Sequence, residues 1–411
     1  MTDFLAASID ETSRARLAEH GLRYALVDTG DAAAFNHWLQ ADIRAFHGGV
    51  LTDEQLGWWR EGLGYRRTTG VWDDDLLVAT TNSWPAPQTV PGGRTVESWA
   101  ISSVGVAPTH RRRGVARALL EGELRTAAAL GVPVAMLTVS EATLYARYGF
   151  APAAFRSDYT IDTRRAVWTG AEASGRLSFI TLEQWLERIG ALHERVGLTT
   201  PGAFPVWPLR WEQIAGTKDT DQSRVPRMRA LQFADEAGEV RGLALYEVAG
   251  GGDDFTQHHL NVHYLSTETA DAYAALWRFL LEVDLVTEVR AWMRAVDEPV
   301  RWMVRDQRAI KQTVTDHQWV RILDVPTVLE ARGYEQDGRL ELEISDDLGF
   351  AAGRFILDVV DGTATVTPGG SGAIPVTVQE LSAAYLGAVP PTTPELGLLR
   401  TARAPYLSVW Y

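Results

Sequence analysis

Hydrophobic and polar positions divide the chain into short strands and helices. "YALVDTG" (Tyr24–Gly30) reads as a first strand stopped by glycine. The stretch Ala32–Leu63 is helical in rhythm, with Trp38, Phe46 and Leu56 among its apolar anchors. "GVWDDDLLVATTNSWP" predicts a strand pair around a turn at Asp73–Asp75, and "WPAPQTVPGG" predicts a Pro/Gly loop. "VESWAISSVGVAP" is a long strand that ends at Pro108. A helix is expected from about Gly114 to Leu130, with Gly131 and Pro133 as stop signals. "VPVAMLTVS" is a short apolar strand of the kind buried on both faces. "SEATLYARYGF" adds a short helix that stops at Gly149. Strand, helix, strand, helix in this order predicts an α/β layer.

The middle third carries a similar pattern. "RGLALYEV", "HHLNVHYLS" and "VRAWMRAV" read as strands, and "TETADAYAALWRFLLEVD" as an amphipathic helix. It is expected to copy the first fold. The last hundred residues change character. "GRLELEISDD" sets Leu340, Leu342 and Ile344 against Glu341 and Glu343, a half-buried strand. "GRFILDVVDG" and "TATVTPGG" continue as a meander with glycine turns. "VTVQELSAAYLG" predicts a helix capped near Gly387, "VPPTTPEL" a loop, and the final "PYLSVWY" a strand.

Composition adds bounds. A chain of 411 residues suggests about two to three domains, and 46% hydrophobic residues suffice for sizeable cores. The absence of cysteine excludes disulfides, a thiolate nucleophile and thiolate metal sites. "MTDFLAASIDETSRARLAEHG" lacks the basic-then-apolar plan of a signal peptide, and no apolar run approaches the roughly 18 residues of a membrane span. A soluble cytoplasmic protein with no membrane partner is the expectation. The net charge of −14 disfavours nucleic acid and attracts cationic small molecules, although acidity also serves solubility alone. Lys218 and Lys311 are the only lysines, a skew that fits a GC-rich genome better than a function.

The segment "VGVAPTHRRRGVARALL" (Val104–Leu120) carries the chemistry. The first N–H groups of a helix have no internal partners, and the helix dipole places about half a positive charge there. Gly114 allows close approach of an anion, Ala116 keeps the next turn small, and the arginines add permanent charge. The spacing R-x-x-G-x-A (Arg111, Gly114, Ala116) is neither a Walker nor a dinucleotide pattern. The alternative is a solvated basic helix start.

This segment resembles the pyrophosphate-binding motif of the GCN5-related N-acetyltransferases, which bind acetyl-CoA. "LYARYGFAP" resembles the same superfamily's later Tyr-x-x-x-Gly-Phe motif, at Tyr145, Gly149 and Phe150. "SVGVAPTHRRRG", "SEATLYARYGFAPA", "RILDVPTVLEARGY" and "AAYLGA" are together similar to the enhanced intracellular survival (Eis) family. The resemblance spans essentially the whole chain. It implies an α/β (α+β) protein of two tandem acetyltransferase-like domains followed by a sterol-carrier-protein-like α+β domain. The expected boundaries are 1–160 for the catalytic domain, 161–305 for a degenerate copy lacking the Arg/Gly motif, and 306–411 for the third.

The resemblance implies acetyl-CoA as co-substrate, with no metal. Val104, Gly105 and Val106 would offer a strand edge to the pantetheine and thioester. Arg112, Arg113, Gly114, Val115, Ala116 and Arg117 would cradle the pyrophosphate, and Ser140 and Glu141 would meet the cofactor again. Tyr145 is the expected general acid, a phenol suited to protonating a departing thiolate. Tyr148 is its competitor. The family also implies that the α-carboxylate of Tyr411 handles the amine proton. A frayed end is the alternative.

Other features have plainer readings. "HHLNVH" sets His259 and His263 on one strand face with no carboxylate at matching sequence spacing, so a polar surface is preferred to a metal site. Asp73–Asp75 reads as a hairpin turn before an acidic rim. Trp38 and Phe46 read as core before pocket. By resemblance the acceptors are polyamine-like, aminoglycosides in particular and at several amines, with direct transfer in a ternary complex and a homo-hexameric assembly. Protein lysine acetylation and lipid carriage through the third domain are the alternative functions.

Overall fold

The computed structural model describes residues 4–219 and 221–411; the first three residues of the N-terminal stretch quoted above lie outside it. The chain forms two compact units. Among the described residues, one falls within 1–154, 317–402 and 410–411, and the other within 155–316 and 403–409.

The first unit begins with α1 (Glu11–Ala18), β1 (Leu22–Leu26), α2 (Ala32–Ala45) and α3 (Asp53–Leu63). The expected single helical stretch is therefore two helices. His47 takes a left-handed φ of 63°, and the Gly48 N–H closes on the Ile43 carbonyl at 2.9 Å, which ends α2. Thr52 and Gln55 then form a reciprocal cap that starts α3. β2 (Arg67–Asp73) and β3 (Leu76–Val90) make the hairpin predicted at Asp73–Asp75. The predicted loop after Trp84 is instead strand, since β3 runs through Pro85 and Pro87 to Val90. Pairing with β2 ends at Ser83, so beyond it, among the described residues, β3 pairs with β4 (Arg94–Val106) alone. A proline's missing N–H is harmless on such an edge.

α4 (Val115–Ala129), β5 (Val134–Thr138) and α5 (Ala142–Tyr145) follow, then β6 (Ala151–Asp162), which from Phe155 belongs to the second unit. β4 and β5 are parallel but pair only at Ser98–Ala100 against Val134–Met136. Beyond Ala100 they diverge. The register of β4 on β3 shifts between Thr80 and Asn82, and Ser103 sits there with φ 56°. This bulge turns the last residues of β4 outward. Trp99, Leu120, Leu124, Tyr145 and Phe150 form one core under the divergence, and Phe35, Trp38 and Leu56 another beneath α2 and α3.

The second unit contains β7 (Arg176–Ile180), α6 (Leu182–Gly197), α7 (Pro208–Ala215), β8 (Met228–Ala234), β9 (Val240–Gly250), β10 (His258–Thr267), α8 (Ala270–Leu281) and β11 (Val286–Arg294). Its antiparallel run β7-β8-β9-β10 leads to a parallel β10–β11 pair, and β10 shifts register on β9 between Val262 and Tyr264. The expected copy of the first fold is present. His263 lies at that shift, 3.4 Å from Glu247 on the neighbouring strand. Sequence spacing concealed this carboxylate because it arrives across the sheet.

β12 (Ile310–Ile322) returns the chain to the first unit, where residues 318–322 pair with β5. α9 (Val325–Ala331), a sheet of β13 (Gly338–Ser345), β14 (Gly353–Val360), β15 (Thr363–Pro368) and β16 (Ile374–Thr377), and α10 (Val378–Ala384) complete it. The closing "PYLSVWY" forms no strand. It is irregular and partly buried, held by specific contacts and not by a ladder. Among the described residues, no helix is long and apolar enough to cross a membrane.

Candidate active site

Where β4 and β5 diverge, a cleft of about 910 Å³ opens in the first unit. The end of β4 contributes Val104, Gly105 and Val106, and the following turn and helix contribute Arg112, Gly114, Val115, Ala116 and Arg117. The segment after β5 contributes Ser140, Glu141, Tyr145 and Tyr148. The structure thus brings together the residues predicted to hold the co-substrate, with one exception. Arg113 is exposed and does not line the cleft.

The head of α4 is built to leave donors open. Gly114 is its N-cap at φ 79°, with no side chain to cap the helix, and a Cβ placed there would meet nothing within 4 Å. The first amide to close on the helix is that of Ala118, to the Gly114 carbonyl at 3.0 Å. The N–H groups of Val115, Ala116 and Arg117 are therefore uncapped at the cleft. Arg112 also holds a left-handed φ of 62°. The Arg117 guanidinium is bound to Glu121 at 2.6 Å, and both residues line the cleft. Glu121 is withdrawn from solvent, yet the hydrogen bonds and charges of Arg117 and Arg16 outweigh burial and hold its carboxyl below the usual range.

Tyr145 is buried, edge-on to Phe150 with ring centres 6.3 Å apart. Burial pushes its phenol up, with the charge of Glu141 adding and a hydrogen bond from Ser140 opposing. A raised phenol keeps its proton at neutral pH, as a donor must. Tyr148 is also raised, by burial and then by Glu121, and shares the same cleft. Gly149 explains its place in the motif. It has φ 87°, and a Cβ there would fall 2.3 Å from Nε of Arg321. Arg321 is fully buried, donates from Nε to the Tyr148 carbonyl at 2.7 Å, and grips Asp346 with Nη2 at 2.7 and 2.8 Å.

Tyr411 lies elsewhere in the first unit and does not line this cleft. It is buried, its ring edge-on to Trp84 at 5.6 Å, and its main-chain oxygen accepts from Thr138 Oγ1 at 2.7 Å. Thr138 ends β5, two residues before Ser140.

Three features escaped the sequence pattern. Phe46, expected in the core, is half exposed and lines the cleft beside Ala45 and His47, whereas Trp38 is core, as expected. Asp42 is buried under the β4 bulge and accepts from Ser103 Oγ at 3.1 Å and Thr80 Oγ1 at 3.3 Å. Burial pushes its carboxyl up to about 7, against those hydrogen bonds and the charge of Arg66. Its position one turn after Trp38, on the apolar stripe of α2, was the available signal. The third is Asp347 and Leu348, which line the cleft from the loop after β13.

Comparison with known proteins agrees with this geometry. Residues 27–153 and 205–322 each match an acetyltransferase (GNAT) domain, and residues 325–405 match a sterol carrier protein domain. The chain is 36% identical over 329 residues to an uncharacterised N-acetyltransferase of Streptomyces avermitilis, covering 78% of this chain and 79% of that protein. It is 35% identical over 311 residues to N-acetyltransferase Eis of Mycobacterium tuberculosis, covering 73% of each. The crystal structure of Eis1 from Mycobacterium abscessus superimposes with a TM-score of 0.80 at 25% identity, covering 95% of this chain and 100% of that one. A GCN5-related N-acetyltransferase from Kribbella flavida shares the fold, with a TM-score of 0.70 at 24% identity over 96% of this chain and 100% of its own.

Proposed function

Since the chain belongs to the Eis family of GCN5-related N-acetyltransferases, we propose that it carries acetyl from acetyl-CoA directly to amines of polycationic small molecules, aminoglycosides among them, at more than one position. The observation that carries this reading is one cleft that joins an uncapped helix head, a free strand edge and a buried phenol.

Each part has a chemical task. Backbone N–H groups at Gly114–Arg117 receive the pyrophosphate. Past its bulge, the Val104–Val106 edge has no β5 partner, so it is available to hydrogen-bond the pantetheine arm and the thioester oxygen. Tyr145 gives its proton to the departing thiolate. With no cysteine to carry the acetyl group, the amine attacks within a ternary complex. The carboxylate of Tyr411 holds the acceptor's ammonium and relays its proton. The bond from Thr138 supports this assignment by fixing that oxygen at the end of β5. The net charge of −14 favours approach of a polycation. We further assign the protein to the cytoplasm and to a hexamer.

The test is release of free CoA, followed with a thiol reagent, over aminoglycosides, lysine peptides and no acceptor, together with acetyl-CoA calorimetry of Gly114→Val. Turnover with aminoglycosides and loss of binding in the folded variant are expected. Unchanged binding would refute the cradle, and turnover with peptides alone would move the acceptor to protein lysines.

A further inference from the structure

The donor cleft has a wall that does not come from the acetyltransferase domain. Asp347 and Leu348 lie in the loop between β13 and β14, within the segment that matches the sterol carrier protein domain. The loop is anchored from below. Asp346 accepts from the backbone N–H of Leu348 at 3.1 Å and of Ala351 at 2.8 Å, and its carboxylate is held by Arg321. The same guanidinium donates to the Tyr148 carbonyl, one residue before Gly149. One buried ion pair therefore fixes the loop and the turn that carries Tyr145 and Tyr148. Leu348 and Phe350 pack on the core that contains both tyrosines.

We propose that this loop sets the affinity for the CoA donor, with Leu348 as an apolar contact and Asp347 as an opposing charge. The proposal rests on the reading of the cleft as the acetyl-CoA site. Leu348 is half-buried and turns its remaining surface to the cleft beside Leu144. Asp347 is exposed and carries a negative charge into a cleft lined also by Glu141, by Glu121 in its pairs with Arg16 and Arg117, and by further arginines and open N–H groups. CoA carries several phosphate charges, and the product carries the same ones as the donor. A carboxylate on this wall weakens both, which limits trapping of the product.

The two residues predict opposite effects. Leu348→Ala should raise the Kd for CoA by about 5- to 10-fold, the scale of losing part of a buried aliphatic side chain. Asp347→Asn should lower it by about 2- to 5-fold, the scale of removing one like charge at short range in a wet site. That gain should shrink as salt is raised. KM for acetyl-CoA should follow Kd in both variants, while kcat for an aminoglycoside changes little in Leu348→Ala. The experiment is calorimetry with CoA at low and high salt on the full-length protein, with steady-state kinetics on the same samples. Opposite shifts support the assignment. If both folded variants bind CoA like the wild type while Gly114→Val loses it, the loop is not part of the donor site. If Gly114→Val also binds normally, the donor-cleft reading itself fails.

Discussion

Two glycines with nearly the same backbone angle should respond differently to alanine. Gly114 (φ 79°) faces open space, whereas Gly149 (φ 87°) faces Arg321. At Gly114 the cost in stability is the left-handed conformation alone, about 1–2 kcal/mol. At Gly149 a Cβ would lie 2.3 Å from Nε and 2.8 Å from Cδ and Cζ of Arg321. Arg321 has nowhere to retreat, because Nε is bound to Tyr148, Nη1 to the Ile322 carbonyl and Nη2 to Asp346. With the Arg321–Asp346 pair kept, forced overpacking adds about 1–3 kcal/mol to that conformational cost. Gly149→Ala should therefore cost about 2–5 kcal/mol in all. At roughly 2–4 °C per kcal/mol, the first melting transition should fall by roughly 4–20 °C. Differential scanning calorimetry of both variants beside wild type is the assay. Activity should fall in Gly149→Ala below its melting point, since the displaced turn carries Tyr145. If Gly149→Ala melts no lower than Gly114→Ala, Arg321 does not account for the glycine.

Three further outcomes are expected. Tyr145→Phe should lower kcat by roughly 10²–10⁴ with little change in acetyl-CoA affinity, while Tyr148→Phe is mild; the reverse ranking in steady-state kinetics moves the acid to Tyr148. Extending the chain past Tyr411 should lower kcat by about tenfold or more, because the carboxylate becomes a neutral peptide carbonyl, whereas Tyr411→Phe keeps most activity; full turnover of the extended protein, its tail verified by mass spectrometry, removes the carboxylate from the mechanism. Asp42 is pushed up by burial, so its folded form holds a proton that the unfolded chain gives up. The stability this adds is complete below the ordinary carboxylate pKa and is lost as pH rises through about 7. Relative to Asp42→Asn, wild type should lose up to ~4 kcal/mol between about pH 4 and pH 8, at ~1.4 kcal/mol for each tenfold difference in proton affinity between the folded and unfolded chains. Parallel urea-unfolding stabilities across that range would contradict this.

Local order was legible in the sequence because it depends on near neighbours. The strand ending at Pro108, the glycine at the head of α4 and the stop at Gly149 follow from backbone freedom and apolar period. The family resemblance implied the grouping of Val104–Val106, Arg112 and Gly114–Arg117 with Ser140, Glu141 and Tyr145, and two adjacent strand–helix turns bring these residues to one cleft. Pairing partners were not legible. Pro85 and Pro87 signalled a loop, but the end of the β2 ladder at Ser83 left an edge that tolerates them. "PYLSVWY" alternated like a strand, but no neighbour offers it a ladder. Asp42, Glu247 and the Arg321–Asp346 pair acquire their meaning from atoms far away in sequence. A buried charge is defined by what surrounds it, and only the tertiary structure supplies the surroundings. The sequence by itself determined the strand, turn and helix head of Val104–Arg117 and the short helix that carries Tyr145. The tertiary structure decided that a loop more than 200 residues later forms their wall.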